Sequence, residues 1–479
     1  MKLLVLAIAA GTTAGLAACS AAPETALRVA TGSVSQFLCT GTFVSGEDPD
    51  TVYADIFKPL AGAALVEWGL AWDVDRARRQ VRTRFAGGFE SLSVHRDGQG
   101  CILLHGADRQ QARQTVEVAR TLPSKAGARA KSVAPADPAL AAALAAALER
   151  AFAETGQTPA RRTKAVAVLY DGRLVAERYA PGFGPETPLP GFSVTKSVTN
   201  ALVGILVRDG RLAVTANALA PEWRAADDPR RAITLDDLLR MRSGLDLGDS
   251  MNADLASLWN PSNRALFVER DMAAAAARAP LCARPGTDWS YADGNYLLLS
   301  RVIRDAAGGD TESVRGFARR ELFDRLGMRN VVLGFDATGT PVGALQMAAS
   351  ARDWARLGQL YLDDGVVKGR RVLPEGWVDY SATPTPGARV GYGAGFWTNR
   401  GESFGAERRA RFGMPRDAFF ARGKFGQFVV VVPSARLVVA RFGTTHGDED
   451  ITGVSALVAD MIAALGGAIG LADLDATAL

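Results

Sequence analysis

Histidine is scarce in this chain: three residues in 479, at His95, His105 and His446. No two of them stand at the helical spacing of metal ligands. The four cysteines, Cys19, Cys39, Cys101 and Cys282, form no Cys-x-x-Cys pair. Both facts argue against a zinc site, and no other metal or organic cofactor is implied. The shortage also argues against a Ser-His-Asp triad. His446, in Thr444-Thr445-His446-Gly447, is the sole candidate in the C-terminal half and reads as a surface-loop residue. Lysine is rare too, with 8 residues against 47 arginines. Each lysine therefore merits inspection, because arginine keeps its proton in proteins and cannot replace a lysine acting as a base. There is no internal repeat and no long basic run, and the net charge is only +4, so nothing points to a nucleic-acid partner. With 48% hydrophobic and 22% charged residues the composition is that of an ordinary globular protein, long enough for one large domain or two to three smaller ones.

The N-terminus reads as a targeting segment. Lys2 precedes an Ala/Leu-rich run from Leu3 to Ala18 that is short, broken by Gly11 and Gly15, and followed by polar residues. That suits a signal peptide over 1–18 better than a spanning helix. Its end, Leu16-Ala17-Ala18-Cys19, resembles a bacterial lipobox, in which the cysteine becomes the lipidated first residue. The expectation is an exported, membrane-anchored lipoprotein. Ser20 is compatible with the periplasmic face of the outer membrane. Export permits disulfides. A Cys39–Cys101 bridge is expected, contributing about 4 kcal/mol by loop closure, with Cys282 free and buried.

Residues 19–121 read as a small α+β module. Helical segments near Leu27–Leu38 and Asp50–Leu60 precede strands at Gln80–Phe85, Glu90–Arg96 and Gly100–His105, with turns at Gly87-Gly88 and Asp97-Gly98. No motif in it carries chemistry. Residues 122–137, rich in Pro, Ala, Lys and Ser, read as a linker. The larger domain, 138–470, opens with a helix over Pro138–Glu154. Ala165–Tyr170 and Arg173–Tyr179 flank Asp171-Gly172 as a hairpin. A helix-rich stretch follows from Ile233 to Arg371. A late strand pair, Phe425–Val432 and Leu437–Gly443, and a helix, Val454–Leu465, close the domain before a tail at 471–479. Strands at both ends with helices between them imply an antiparallel sheet joining the ends of an α+β domain.

Ser193-Val194-Thr195-Lys196 is the only Ser-x-x-Lys in the chain. Val194, Val198, Ala201, Leu202, Ile205 and Leu206 recur at helical spacing, and the pattern stops near Asp209-Gly210. Residues three apart share a helix face, so the Ser193 hydroxyl and the Lys196 amine can meet, with the lysine as the base that a serine nucleophile needs. A capping serine followed by a solvated lysine fits the same stretch. Trp289-Ser290-Tyr291-Ala292-Asp293-Gly294-Asn295 offers a tyrosine proton shuttle, or simply an amphipathic tyrosine at a helix start. Lys424, in Arg422-Gly423-Lys424-Phe425-Gly426-Gln427, enters the late strand pair between glycines that let a strand edge approach another chain or a ligand.

Taken in this order, Ser193–Lys196, Tyr291-Ala292-Asp293 and Lys424-Phe425-Gly426 resemble the motifs of the serine β-lactamase-like family. That group includes class C β-lactamases, D-alanyl-D-alanine carboxypeptidases, related esterases and 6-aminohexanoate-dimer hydrolases. Leu238–Leu245, Pro285-Gly286-Thr287 and Ser350-Ala351-Arg352-Asp353 also look like the family, and the resemblance runs from Ala165 to the C-terminal helix. It implies a β-lactamase/transpeptidase-like fold, an antiparallel sheet flanked by helices with a helical insertion. It further implies that Ser193 forms an acyl-enzyme while Lys196 and Tyr291 handle protons. The backbone N–H groups of Ser193 and Gln427 would form the oxyanion hole. Lys424, Asp293 and Gly426 would serve substrate binding and electrostatics, with two cations favouring a Tyr291 phenolate. Asp293 departs from the usual asparagine and offers no N–H to an amide substrate. The nearest branch is therefore the esterase and 6-aminohexanoate-dimer hydrolase one, acting on a small-molecule ester or amide. A β-lactamase or D-alanyl-D-alanine carboxypeptidase is the alternative, and a non-catalytic binding protein that keeps the fold is a second.

Overall fold

The computed structural model describes residues 16–106, 108–109, 135, 137–154, 156, 160–251 and 255–466. The expected leader up to residue 15, most of the 122–137 linker, the 471–479 tail and the Cys19 side chain lie outside the described residues.

A six-stranded antiparallel sheet organises the larger part of the chain. Its order is Trp397–Thr398, Phe419–Gly423, Gln427–Val432, Leu437–Gly443, Thr163–Tyr170 and Arg173–Tyr179. Leu437–Gly443 pairs directly with Thr163–Tyr170, so the two ends of the domain are joined in the sheet as the strand pattern implied. The Asp171-Gly172 turn takes positive φ at both residues, 45° and 78°, the geometry of the tightest hairpins. Every residue of Gln427–Val432 and Leu437–Gly443 is buried, as expected of strands covered on both faces. Ala351–Leu362 packs on these strands, and Pro138–Phe152 packs with the C-terminal helix Ile451–Gly466.

The helix after Ser193 runs Thr195–Arg208 and is buried from Thr195 through Leu206. A helix enclosed on all sides is a rigid base for a reactive group at its start. It lies against Asp293–Ala307, the helix that begins two residues after Tyr291.

The N-terminal helix is longer than its periodicity suggested, Leu16–Thr40, and lies across a four-stranded antiparallel sheet. The first strand of that sheet, Leu70–Asp75, is an addition to the sequence reading. It is an edge strand whose residues are exposed or half-buried, so it carried little apolar signal. Cys39 and Cys101 are bonded between helix and sheet, in a core with Leu38, Val52, Tyr53 and Val81. Cys282 is free but exposed, contrary to expectation. It follows Leu281, which bridges Leu245 at the surface, and its Sγ donates to the Gly244 carbonyl oxygen.

This module is not a separate bead. Val29 and Leu103 belong to the main core, and the Phe37 ring meets both Phe192 and Phe267 edge-on. Two ion pairs reinforce the join, Lys164–Glu47 at 2.5 Å and Arg162–Asp55 at 2.6 Å.

Candidate active site

Ser193 sits in a single 3-10 turn, Phe192–Val194, that runs into the buried helix. Phe192, just before it, takes φ 47°, a left-handed conformation that costs a bulky residue energy and is held only by its surroundings. Here the hold is aromatic. Phe192 is gripped edge-on by Phe37 at 5.5 Å and by Phe425 at 5.2 Å. The strained turn presents Ser193 at the junction of two cavities.

Lys196 is 1% exposed, and its Nζ makes three hydrogen bonds: to Ser193 Oγ at 2.9 Å, to Asp293 Oδ1 at 2.5 Å and to the Ala344 carbonyl at 2.8 Å. The solvated-lysine reading is thereby removed. Burial alone would push the Lys196 pKa down, but the Asp293 carboxylate and the Tyr291 phenol outweigh it and hold the amine above its ordinary value. Tyr291 is 5% exposed, interacts with both Ser193 and Lys196, and lies under Lys196 Nζ at 5.0 Å from the ring centre. Trp397, Tyr392 and Trp289 surround its ring. Burial pushes the Tyr291 phenol up, and the Lys196 ammonium only partly offsets this.

The expected resting phenolate is therefore corrected. The second cation is spent elsewhere: Lys424 Nζ donates to the Met251 carbonyl at 2.7 Å and pairs with Glu449 at 3.7 Å. The resting cluster is an ammonium–carboxylate pair beside a neutral phenol.

Lys424, Phe425 and Gly426 form the turn between Phe419–Gly423 and Gln427–Val432, so Lys424 lies past the strand end rather than on the strand. Phe425 and Gly426 take φ 63° and 80°. Gly423 explains how this hairpin reaches Ser193. A Cβ there would lie 2.1 Å from the Gly191 carbonyl oxygen and 3.1 Å from the Ser193 nitrogen, so only glycine allows the approach. Gln427 pairs with Gly423 at the foot of the turn, and its buried amide donates to the carbonyls of Lys424, Phe425 and Gly443.

Two cavities converge on Ser193. One, of about 560 Å³, is the more polar of the two, with a mixed lining that includes Tyr291, Trp397, Arg408, Arg422 and Lys424. Its cations are partly balanced by Asp448 and Glu449, through pairs with Arg408 and Arg422. The other, of about 200 Å³, is largely apolar and runs between the N-terminal module and the larger domain. Sequence reasoning missed Arg408, Arg422, Ser250 and the aromatic grip on Phe192, because none belongs to a recognisable spacing. His446 lies on a loop, as expected, but in a place the sequence did not indicate. That residue is half-buried in the wall of the polar cavity, packs on Phe425 at 5.0 Å, and is held through Nε2 by the Asp55 carbonyl at 2.7 Å. Burial lowers its pKa.

Among the described residues, no group of three or more His, Cys, Asp or Glu side chains is arranged to hold a metal ion, and no helix is long and apolar enough to cross a membrane.

Comparison with known proteins adds four findings. A protein-family model described as Beta-lactamase matches residues 148–459. A 6-aminohexanoate-dimer hydrolase of Paenarthrobacter ureafaciens is 28% identical over 228 residues, which is 45% of this chain and 56% of that protein. The chain thus spans little more than half the length of that relative. Among solved structures, a putative 6-aminohexanoate-dimer hydrolase from Bacillus anthracis is 24% identical with TM-score 0.52, covering 64% of this chain and 80% of the other. A penicillin-binding protein homolog from Caulobacter crescentus is 20% identical with TM-score 0.51, covering 70% and 99%. The N-terminal module lies outside the family match.

Proposed function

The chain belongs to the β-lactamase family, and from that premise we propose that it is a serine hydrolase that cleaves an ester or amide through a Ser193 acyl-enzyme. The observation that carries this reading is the part-buried hydrogen bond of 2.9 Å from Lys196 Nζ to Ser193 Oγ. The reactive form is the Lys196–Tyr291 pair after loss of one proton. The Ser193 Oγ–carbon bond forms as the serine proton passes to that pair, and negative charge moves to the carbonyl oxygen. Backbone N–H groups of Ser193 and Gln427 are the proposed donors to that oxyanion. The pair then protonates the leaving oxygen or nitrogen as its bond to carbon breaks. A water, deprotonated by the same pair, attacks the acyl-enzyme and releases the acid, and Ser193 recovers its proton.

The 6-aminohexanoate-dimer hydrolase relative supports the esterase and amidase branch. Asp293 favours it over β-lactam or D-alanyl-D-alanine chemistry, because its carboxylate is bound to Lys196 and has no N–H to donate. A fluorophosphonate probe tests the acyl-enzyme: it should label the wild type and spare Ser193→Ala, and equal labelling of both would sink the proposal. Turnover of short nitrophenyl esters without turnover of a chromogenic cephalosporin separates the two enzymatic readings. Export and anchoring through Cys19 belong to the same proposal. Radiolabelled palmitate should enter the wild type expressed in a two-membrane bacterium and be lost in Cys19→Ala.

A further inference from the structure

The apolar cavity beside Ser193 is built mainly by the module that the family match leaves out. Val29, Ala30, Ser33, Val34 and Phe37 line it from one face of the N-terminal helix, at successive helical turns. Phe57 and Leu60 of the same module close one side, while Leu266 and Phe267 of the larger domain face them. Charged groups, Asp293 and Lys424, occur only among the residues around Ser193. The cavity is thus polar where the scissile carbonyl would sit and apolar beyond it.

Which half of the substrate it takes follows from Tyr291. The group that protonates the leaving atom must stand on the leaving-group side, and Tyr291 lines the polar cavity but not the apolar one. The polar cavity, with Arg408 and Arg422, is then the leaving-group side, and the apolar one receives the acyl group. We infer that the N-terminal module supplies the acyl pocket of the Ser193 site, and that the substrates carry a medium-length aliphatic or aromatic acyl group. This rests on the proposed acyl-enzyme and adds its substrate class.

The volume sets the length. Apolar cavities of about 150 Å³ take a benzene ring, so 200 Å³ holds a ring or a chain of about six to eight carbons. At the module's surface, the short helix Ala64–Glu67 and its cap leave Leu65 68% and Trp68 73% exposed, next to the lining residues Ala63 and Val66. An apolar approach is consistent with an apolar acyl chain. The module also grips Phe192 through Phe37, so the part that selects the substrate also holds the nucleophile turn.

The test is a series of 4-nitrophenyl esters from acetate to dodecanoate, read as kcat/KM. It compares the full chain with Ser33→Phe and Ala30→Leu, two changes that fill the cavity without touching Ser193, Lys196 or Tyr291. The wild type should gain about threefold to fourfold per methylene up to hexanoate or octanoate and then fall. Both variants should move the optimum to acetate or butyrate and lower the octanoate-to-acetate ratio of kcat/KM by about tenfold or more. A flat wild-type profile, a wild-type optimum at acetate, or an unchanged octanoate-to-acetate ratio in both variants would overturn the inference while leaving the acyl-enzyme intact. Failure of the wild type to turn over any ester, with no fluorophosphonate labelling, would remove the underlying reading and this inference with it. Should either variant fail to fold, the wild-type profile and inhibition by a series of alkylboronic acids decide. Affinity should then rise with alkyl length, and no length dependence would overturn the pocket.

Discussion

The Lys196–Asp293 pair permits a quantitative test of the site's electrostatics. The two groups meet at 2.5 Å, with side chains 1% and 10% exposed. Unit charges this close attract by about 4 to 7 kcal/mol at an effective dielectric of about 20, and desolvation takes much of that back. Lys196→Met removes the cation and leaves the Asp293 carboxylate buried beside a methyl group. Breaking a buried pair from one side costs about 3 to 5 kcal/mol, so unfolding free energy should fall by that amount at pH 7. Asp293→Asn should cost less, because a lysine left alone can shed its proton. The double variant Lys196→Met/Asp293→Asn leaves no charge behind and should be more stable than additivity requires, by about 2 to 3 kcal/mol. Denaturant unfolding followed by tryptophan fluorescence measures all four corners of the cycle. Additivity within about 0.5 kcal/mol would refute the buried ion pair as a determinant of the site. Every Lys196 variant should be inactive, whatever its stability.

Other expectations follow from the same geometry. Asp293→Asn removes the anion that favours the Lys196 ammonium, so the deprotonated, active pair is reached at lower pH. The rising limb of a kcat/KM–pH profile should therefore move to lower pH, and a limb that stays or moves up contradicts this assignment. Lys196→Arg keeps the charge but cannot act as a base, and esterase assays should read near-complete loss. Gly423→Ala places a Cβ against the Gly191 carbonyl and the Ser193 nitrogen, pushing the hairpin off the nucleophile. It should lower kcat by about 100-fold with the protein still folded by circular dichroism. The half-buried His105, whose pKa is pushed down to about 4 mainly by desolvation, makes the folded state bind fewer protons than the unfolded one. Stability should therefore fall as pH drops from about 6.5 to 4, by as much as ~3 kcal/mol, and His105→Asn should flatten that slope in pH-dependent denaturation.

The sequence displays its chemistry where residue types are constrained locally. The spacing of Ser193 and Lys196 was legible because three residues span one face of a helix turn. The sheet that joins the domain ends was legible because Gln427–Val432 and Leu437–Gly443 are buried on both faces and read as continuous apolar runs. The edge strand Leu70–Asp75 was not, since an edge strand with exposed residues leaves no such run. Phe37 and Phe267, 230 residues apart, looked like ordinary core positions, because a ring that grips another ring has no spacing of its own. The hold on the loop residue His446 was not legible, because its anchor is the backbone carbonyl of Asp55, which any residue would supply.

Local sequence by itself therefore determined the Ser193 helix and the candidate site's parts, which follow from short-range periodicity and residue chemistry, and the resemblance of those motifs pointed to the family. Tertiary structure alone decided the protonation of the site and the shape of its pockets. Lys196 keeps its proton because packing brings Asp293, 97 residues away, within 2.5 Å in a largely desolvated place. The apolar pocket exists because a helix from the N-terminal module is laid against Ser193 by contacts between segments hundreds of residues apart. Desolvation and cavity shape are properties of what surrounds a residue, and in a folded chain those surroundings come from distant sequence.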